Sequence, residues 1–170
     1  ISNDNYIYTP SVTGTDYSNN NLNQVVGFGG RSVSYDNNGN IEGIAGENYA
    51  YNSHNQLVST NLTDGSAAFV YDPLSRLTSY TASGSITRLQ YSGDQIVSEY
   101  RDGTLVNRYV PGIDLDDVVA TYSGLGATGR SWLLADERRS VLGLADATGA
   151  VTAINRFDEF GVPAPANVGR

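Results

Sequence analysis

The 170-residue sequence predicts an all-β fold: consecutive antiparallel β-hairpins forming one curved, open-edged sheet. Three observations predict it. An aromatic residue recurs just ahead of a turn and an aliphatic residue. The short runs around these steps alternate with period two, the mark of a half-buried strand. Gly, Asn, Asp and Ser punctuate the runs, and these residues favour turns because they tolerate left-handed backbone or cap their own chain. Composition agrees: 12 Tyr against 4 Phe and 1 Trp, 19 Gly, 39% hydrophobic and only 16% charged residues.

The elements follow in order. Residues 1–30 are read as an opening strand or cap, 31–122 as a hairpin array and 123–170 as a further β segment. The array carries Tyr35-Asp36-Asn37-Asn38-Gly39-Asn40-Ile41, then Tyr51 to Leu57, Tyr71-Asp72 to Leu77, and Tyr91 to Val97. In each the aliphatic stands six residues after the Tyr, and the Tyr residues are spaced 16, 20 and 20 apart. Ahead of each, Val33 with Tyr35, Tyr49 with Tyr51, Phe69 with Tyr71, and Leu89 with Tyr91 share a strand face. Second turns are expected at Asp64-Gly65, Ser83-Gly84 and Asp102-Gly103, where Asp-Gly between alternating runs signals a hairpin. About 20 residues therefore supply two strands of roughly 5–6 residues and two turns. The segments from Asp16-Tyr17 to Leu22 and from Phe157-Asp158 to Val162 read as degenerate outer copies. One short helical turn is expected near 135–139.

Charge and composition exclude several classes. A net charge of −8, with ten Arg against 18 carboxylates, does not suit a nucleic-acid backbone. The absence of Cys excludes a disulfide scaffold, a thiolate metal site and a Cys nucleophile, and one His excludes a multi-His zinc site. No run is long and apolar enough to span a bilayer, so no membrane insertion is expected. With no Met, Ile1 is not a translation start, and the chain reads as a processed product or an excised fragment.

The Tyr-Asp segments resemble the Rhs, or YD-repeat, family. Residues 35–41 fit its motif best; Tyr71-Asp72 fits with Ser75 in place of the usual Gly, and Tyr51 and Tyr91 lack the Asp. Arg108-Tyr109-Val110-Pro111-Gly112, Asp114 to Val119, Trp132 to Val141, Asp146 to Val151 and Arg156 to Pro163 resemble parts of the Rhs-associated core. The resemblance spans about 16–170. It implies a long sheet wound into a shell, which in bacterial members encloses a C-terminal toxin; related sheets occur in insecticidal toxin complexes and teneurins. The family's aspartyl self-cleavage motif lies further downstream than Arg170, so no catalytic residue is carried over. Two departures stand out: Leu134 occupies a position where the family often has His, and Arg138-Arg139 replaces a Gly-containing segment.

Candidate chemistry is sparse. His54 would have to serve any Ser-His-Asp triad, and no nucleophile elbow accompanies it, so a polar turn residue is preferred. Asp114 and Asp116, at alternate positions beside Asp117, are candidate Ca2+ ligands, with a solvated loop as the preferred reading. Asp36 to Asn40 resembles a calcium loop without its bidentate Glu. Exposed Tyr rows could stack glycans, whereas Tyr packed in the sheet would keep only its hydroxyl wet. Arg138-Arg139 could meet a phosphate or balance Asp136 and Glu137. Asn61-Leu62-Thr63 satisfies a glycosylation sequon, and Pro163 and Pro165 read as a linker.

The expected function is a non-catalytic structural segment of a secreted or surface protein, extending a β-sheet shell or polymer through its strand edges. The alternative is a self-assembling extracellular fibre subunit with an adhesive or carbohydrate-binding role. No enzyme activity and no cofactor are expected. The expected partners are other repeats of a longer chain or copies of itself, with glycans as a further option.

Overall fold

The computed structural model describes residues 16–114, 117–158 and 160–167. These residues form strands and turns with no helix, as the alternating runs require. The strands are β1 (Tyr17–Asn19), β2 (Val25–Phe28), β3 (Arg31–Tyr35), β4 (Ile41–Ile44), β5 (Glu47–Tyr51), β6 (Leu57–Leu62), β7 (Gly65–Tyr71) and β8 (Leu77–Ala82). They continue as β9 (Ser85–Ser92), β10 (Gln95–Arg101), β11 (Thr104–Pro111), β12 (Val118–Ser123), β13 (Arg130–Ala135), β14 (Val141–Ala145) and β15 (Val151–Ile154). Each pairs with the next in sequence, giving one open antiparallel sheet in the order β1 to β15 without a crossover. The chain divides within β9 into two compact units, Val12–Arg88 and Leu89–Arg170. Of the opening segment, residues 1–15 lie outside the described residues; β1 and β2 occupy part of the remainder.

Within Val12–Arg88 two kinds of connection alternate. Five-residue loops join β1 to β2, β3 to β4, β5 to β6 and β7 to β8, and so share one end of the strands. Two-residue turns occupy the other end. Ala45-Gly46 and Ser83-Gly84 both have two positive φ angles, 51° and 94°, and 50° and 81°. These are primed turns, whose twist matches that of the strands. The turn expected at Asp64-Gly65 is shifted by one: Thr63 and Asp64 form it, and Gly65 opens β7 with φ 137°. In the second unit Asp102-Gly103, at φ 49° and 83°, turns as expected.

The two faces of this unit differ in character. Register pairs place Tyr49 with Thr60, Tyr51 with Leu57, Phe69 with Tyr80, and Tyr71 with Leu77. Along β7 burial alternates, with Ala67, Phe69 and Tyr71 half-buried and Ala68 and Val70 exposed. The opposite face carries small residues, among them Ser34 opposite Gly43, Ala50 opposite Ser59, and Ser59 opposite Ala68. One sheet layer cannot bury its aromatic face completely, so Tyr and Leu protect one another laterally. Each cross-strand pair contributes about 0.2–1 kcal/mol. Among the described residues the buried apolar side chains are Val33 in the first unit, and Ala120 and Ala145 in the second.

The helical turn expected near 135–139 is corrected. β13 ends at Ala135, and the Asp136 side chain accepts the backbone N–H groups of Arg138 and Ser140 at 2.9 Å each. Arg139 sits at φ 66°. A left-handed residue cannot continue a right-handed helix, so the local capping overrides the helix-favouring composition.

Candidate functional site

The repeat motif is a loop built around one side chain. Asp36 Oδ1 accepts backbone N–H groups from Asn38 at 2.9 Å and Asn40 at 2.8 Å. The Asp36 N–H reaches the Asn40 carbonyl at 2.8 Å, and the Gly39 N–H reaches the Asp36 carbonyl at 3.1 Å. Closing the loop forces its fourth residue into left-handed backbone, and Gly39 has φ 86°. This accounts for both motif residues: Asp supplies an acceptor for two donors, and Gly accepts the geometry without a Cβ clash.

The same pattern recurs at Asn20, Asn52, Asp72, Asp136, Asp146 and Asp158. Every one caps the backbone two and four residues on. The left-handed fourth residues are Asn23, Asn55, Ser75, Arg139, Gly149 and Gly161. The residue before each cap pairs across the loop with the one five positions after it: Tyr35 with Ile41, Tyr51 with Leu57, Tyr71 with Leu77, Ala135 with Val141, and Ala145 with Val151. A bulge follows each pair, which re-aims the strand. The first and fifth side chains also match chemically. Asp36 and Asp72 face donors, Asn40 Nδ2 at 2.9 Å and Arg76 Nε at 2.8 Å. Asn20 and Asn52 instead give Nδ2 to Gln24 and Gln56 Oε1, at 2.7 and 2.8 Å.

Neighbouring repeats are tied together. The Tyr35 hydroxyl donates to the Val25 carbonyl at 2.8 Å, and the Tyr71 hydroxyl to the Leu57 carbonyl at 2.9 Å. Asn155 Nδ2 takes the same role toward the Val141 carbonyl at 2.9 Å. The loops also touch, Asn40 Nδ2 reaching Asn55 Oδ1 at 3.0 Å.

Several expectations change. Tyr91 and Val97 stand in β9 and β10, but Gly93 and Asp94 join these strands by a two-residue turn, so the fourth repeat lacks the capped loop. The outer copy read from Tyr17 to Leu22 is out of register: the cap is Asn20, and Asn19 pairs with Val25. The copy at Phe157 has full cap geometry, with Phe157 bridging Pro163. Pro163 is thus part of a loop closure, and the linker reading fails for it. His54 is an exposed loop residue whose N–H is capped by Asn52.

Asp114 and Asp117 both pair with Arg139, Asp117 at 2.9 Å through Nη1. Asp116 lies outside the described residues. Asp114 therefore ties the loop before β12 to the capped loop after β13, and Arg139 answers its charge. The same pair of loops borders a cavity of about 250 Å³ floored by Val118, Leu133 and Val141. Sequence reasoning missed Glu99, which is 2% exposed. Its Oε2 accepts the Tyr109 hydroxyl at 2.7 Å and Asn107 Nδ2 at 3.1 Å, with Arg101 3.8 Å from Oε1. Alternation alone gave no signal for a carboxylate there.

The caps shift acidities in one direction. The Asn40 amide is the largest influence holding Asp36 below the usual carboxylate value, the Arg76 backbone N–H does this for Asp72, and the Thr148 hydroxyl for Asp146. Tyr49 is pushed up, chiefly by lost hydration and then by Glu47.

No family model and no curated protein matches the chain. Among solved structures it is similar to a chain of the crystal structure of TcdB2-TccC3-TEV, with TM-score 0.48 and 14% identity over 92% of this chain. It is also similar to a chain of TcdB2-TccC3-Cdc42, with TM-score 0.46 and 15% identity over 88% of this chain. It spans 8% and 11% of the length of those two chains.

Proposed function

We propose that the chain is a non-catalytic structural segment of a secreted or surface YD-repeat protein, and that it works by extending a β-sheet. One observation carries this reading. The polar groups that define the motif are engaged by the protein's own backbone: Asp72 Oδ1 by Leu74 and Arg76, and the Tyr71 hydroxyl by Leu57. A side chain so engaged holds a loop or a neighbouring strand in place. The capped loop recurs along the chain, and Tyr35 and Tyr71 each tie their repeat to a preceding one, so hairpins add in series as in other repeat architectures.

Sheet extension takes two forms, an arc of a larger shell or copies of the chain added edge to edge. β15 stands last in the strand order, an edge suited to pairing with further strand, and its Val151 and Ile154, on opposite faces, are 62% and 44% exposed. Size-exclusion chromatography with electron microscopy separates the two. Concentration-dependent filaments support addition of copies, and a stable monomer supports an arc whose neighbours come from the same polypeptide. Turnover by the pure chain that is lost on substituting Glu99 would overturn the non-catalytic reading.

A further inference from the structure

The Leu89–Arg170 unit carries a second, different surface. Arg108 alternates with Asn107 and Tyr109 and therefore projects from the sheet face opposite Tyr109. Register places Arg108 opposite Tyr122 and Tyr122 opposite Arg130, in one row across three strands. Trp132 lies two residues beyond Arg130 on the same face. The Arg108 guanidinium sits 5.2 Å from the Tyr122 ring centre, and that of Arg130 sits 4.7 Å from the Trp132 ring centre. The row therefore alternates cation and aromatic.

Among the described residues neither cation has a carboxylate partner. Among the described residues the ion pairs involve Arg76, Arg101 and Arg139, in a chain with 18 acidic residues for ten Arg. Arg108 donates to the carbonyls of Gly124, at 3.1 Å, and Gly126. Arg130 donates to the Ala147 carbonyl at 3.2 Å, and its Nε is shut from solvent without an acceptor. Neutral carbonyls position a guanidinium but leave its charge unanswered, and each guanidinium has five donors to satisfy. Beside them Trp132 is 39% exposed, flanked across the strands by Ala120 and Ala145. This floor is flat. An exposed aromatic ring beside two guanidinium groups suits the flat ring of a sugar that carries an acid.

We infer that this face binds an acidic polysaccharide through carboxylated sugar units, with a sugar ring against Trp132 and its carboxylate held by Arg130 and Arg108. A guanidinium fork matches a carboxylate in geometry and charge. The inference does not depend on the role proposed for the repeats.

Trp132 is the only Trp in the chain, so its fluorescence reports directly on the surface. The full chain is titrated with an oligogalacturonate, with the same oligosaccharide fully methyl-esterified, and with poly-glutamate. A saturable emission change with the acid form is expected, weakened by about tenfold or more in the ester, which keeps the ring and loses the charge. Arg130→Gln should weaken binding of the acid form by a similar factor while circular dichroism stays unchanged. If that variant fails to fold, the comparison of acid and ester on the unaltered chain decides alone. No saturable change, an equal response to acid and ester, or tighter binding of poly-glutamate would overturn the inference.

Discussion

The Tyr71 hydroxyl donates a 2.9 Å hydrogen bond to the backbone carbonyl of Leu57, the residue that closes the preceding capped loop. Tyr35 makes the equivalent bond to Val25. The tyrosine of one repeat thus holds the loop-closing residue of another. This explains a preference for Tyr over Phe at a half-buried position: the ring packs on the sheet face, and the hydroxyl satisfies a carbonyl where the bulge interrupts the ladder.

Tyr71→Phe keeps the ring and removes only the donor. It should lower stability by about 1 kcal/mol, the usual net worth of one hydrogen bond. Tyr71→Ala also removes the ring and should cost clearly more. Urea denaturation followed by circular dichroism measures both, and a Tyr71→Phe variant as stable as the unaltered chain would mean that the hydroxyl contributes nothing.

Asn52 caps His54 and Gln56 through Oδ1 and gives Nδ2 to Gln56. Asn52→Ala leaves two backbone donors without their acceptor and should cost about 1 kcal/mol. Asn52→Asp keeps the acceptor, and the Gln56 amide can turn its NH2 toward the new carboxylate. That variant should be close to neutral in the same denaturation assay.

The fourth loop position discriminates between residues. Ser75 holds φ 66° with a Cβ, where Gly39 needs none. Ser75→Gly should stabilise the chain by about 0.5 kcal/mol, the relief of left-handed strain being partly offset by the greater freedom of Gly in the unfolded chain. Gly39→Val should destabilise by about 1–2 kcal/mol, because a β-branched side chain is least tolerant of this region. Thermal unfolding midpoints should move in opposite directions.

Acid should act on the loops. Asp36, Asp72 and Asp146 have folded-state acidities shifted below their ordinary carboxylate value. The stability they contribute is present above the unfolded value, near pH 4, and is lost as pH falls through the lower folded values. Unfolding midpoints should therefore drop below about pH 4, and Asp72→Asn should flatten part of that drop. A profile with no loss on acidification would contradict the capping role of these carboxylates.

The array from 31 onward was legible because aromatic, turn and aliphatic residues coincide at Tyr35, Tyr51 and Tyr71. Period two also assigned the faces correctly, since Phe69 with Tyr71 and Val33 with Tyr35 follow directly from the alternation. The loops at Asp136 and Asp146 escaped a search anchored on Tyr because Ala135 and Ala145 stand in the aromatic position. What the loops share is a capping side chain, a left-handed residue three positions on and an aliphatic or Pro five positions on; Asp146, Gly149 and Val151 carry that signal plainly. Tyr91 misled in the other direction. Its spacing to Val97 is right, but Ser92 replaces the cap, and Gly93 stands early enough to close a two-residue turn. The Arg108 to Trp132 row was illegible because its members are far apart in sequence and meet only through strand register.

The most direct test of the serial-hairpin account is deletion of one whole repeat. Removing residues 52–71 joins Tyr51 to Asp72 and places β5 beside β8, with the Asp72 loop closing Tyr51 against Leu77. If each hairpin contacts only its neighbours, the shortened chain should unfold cooperatively, and the NMR cross-peaks of the Leu89–Arg170 unit should stay where they are. A chain that loses dispersed cross-peaks throughout, or fails to fold, would show that the repeats do not add in series and would contradict the account.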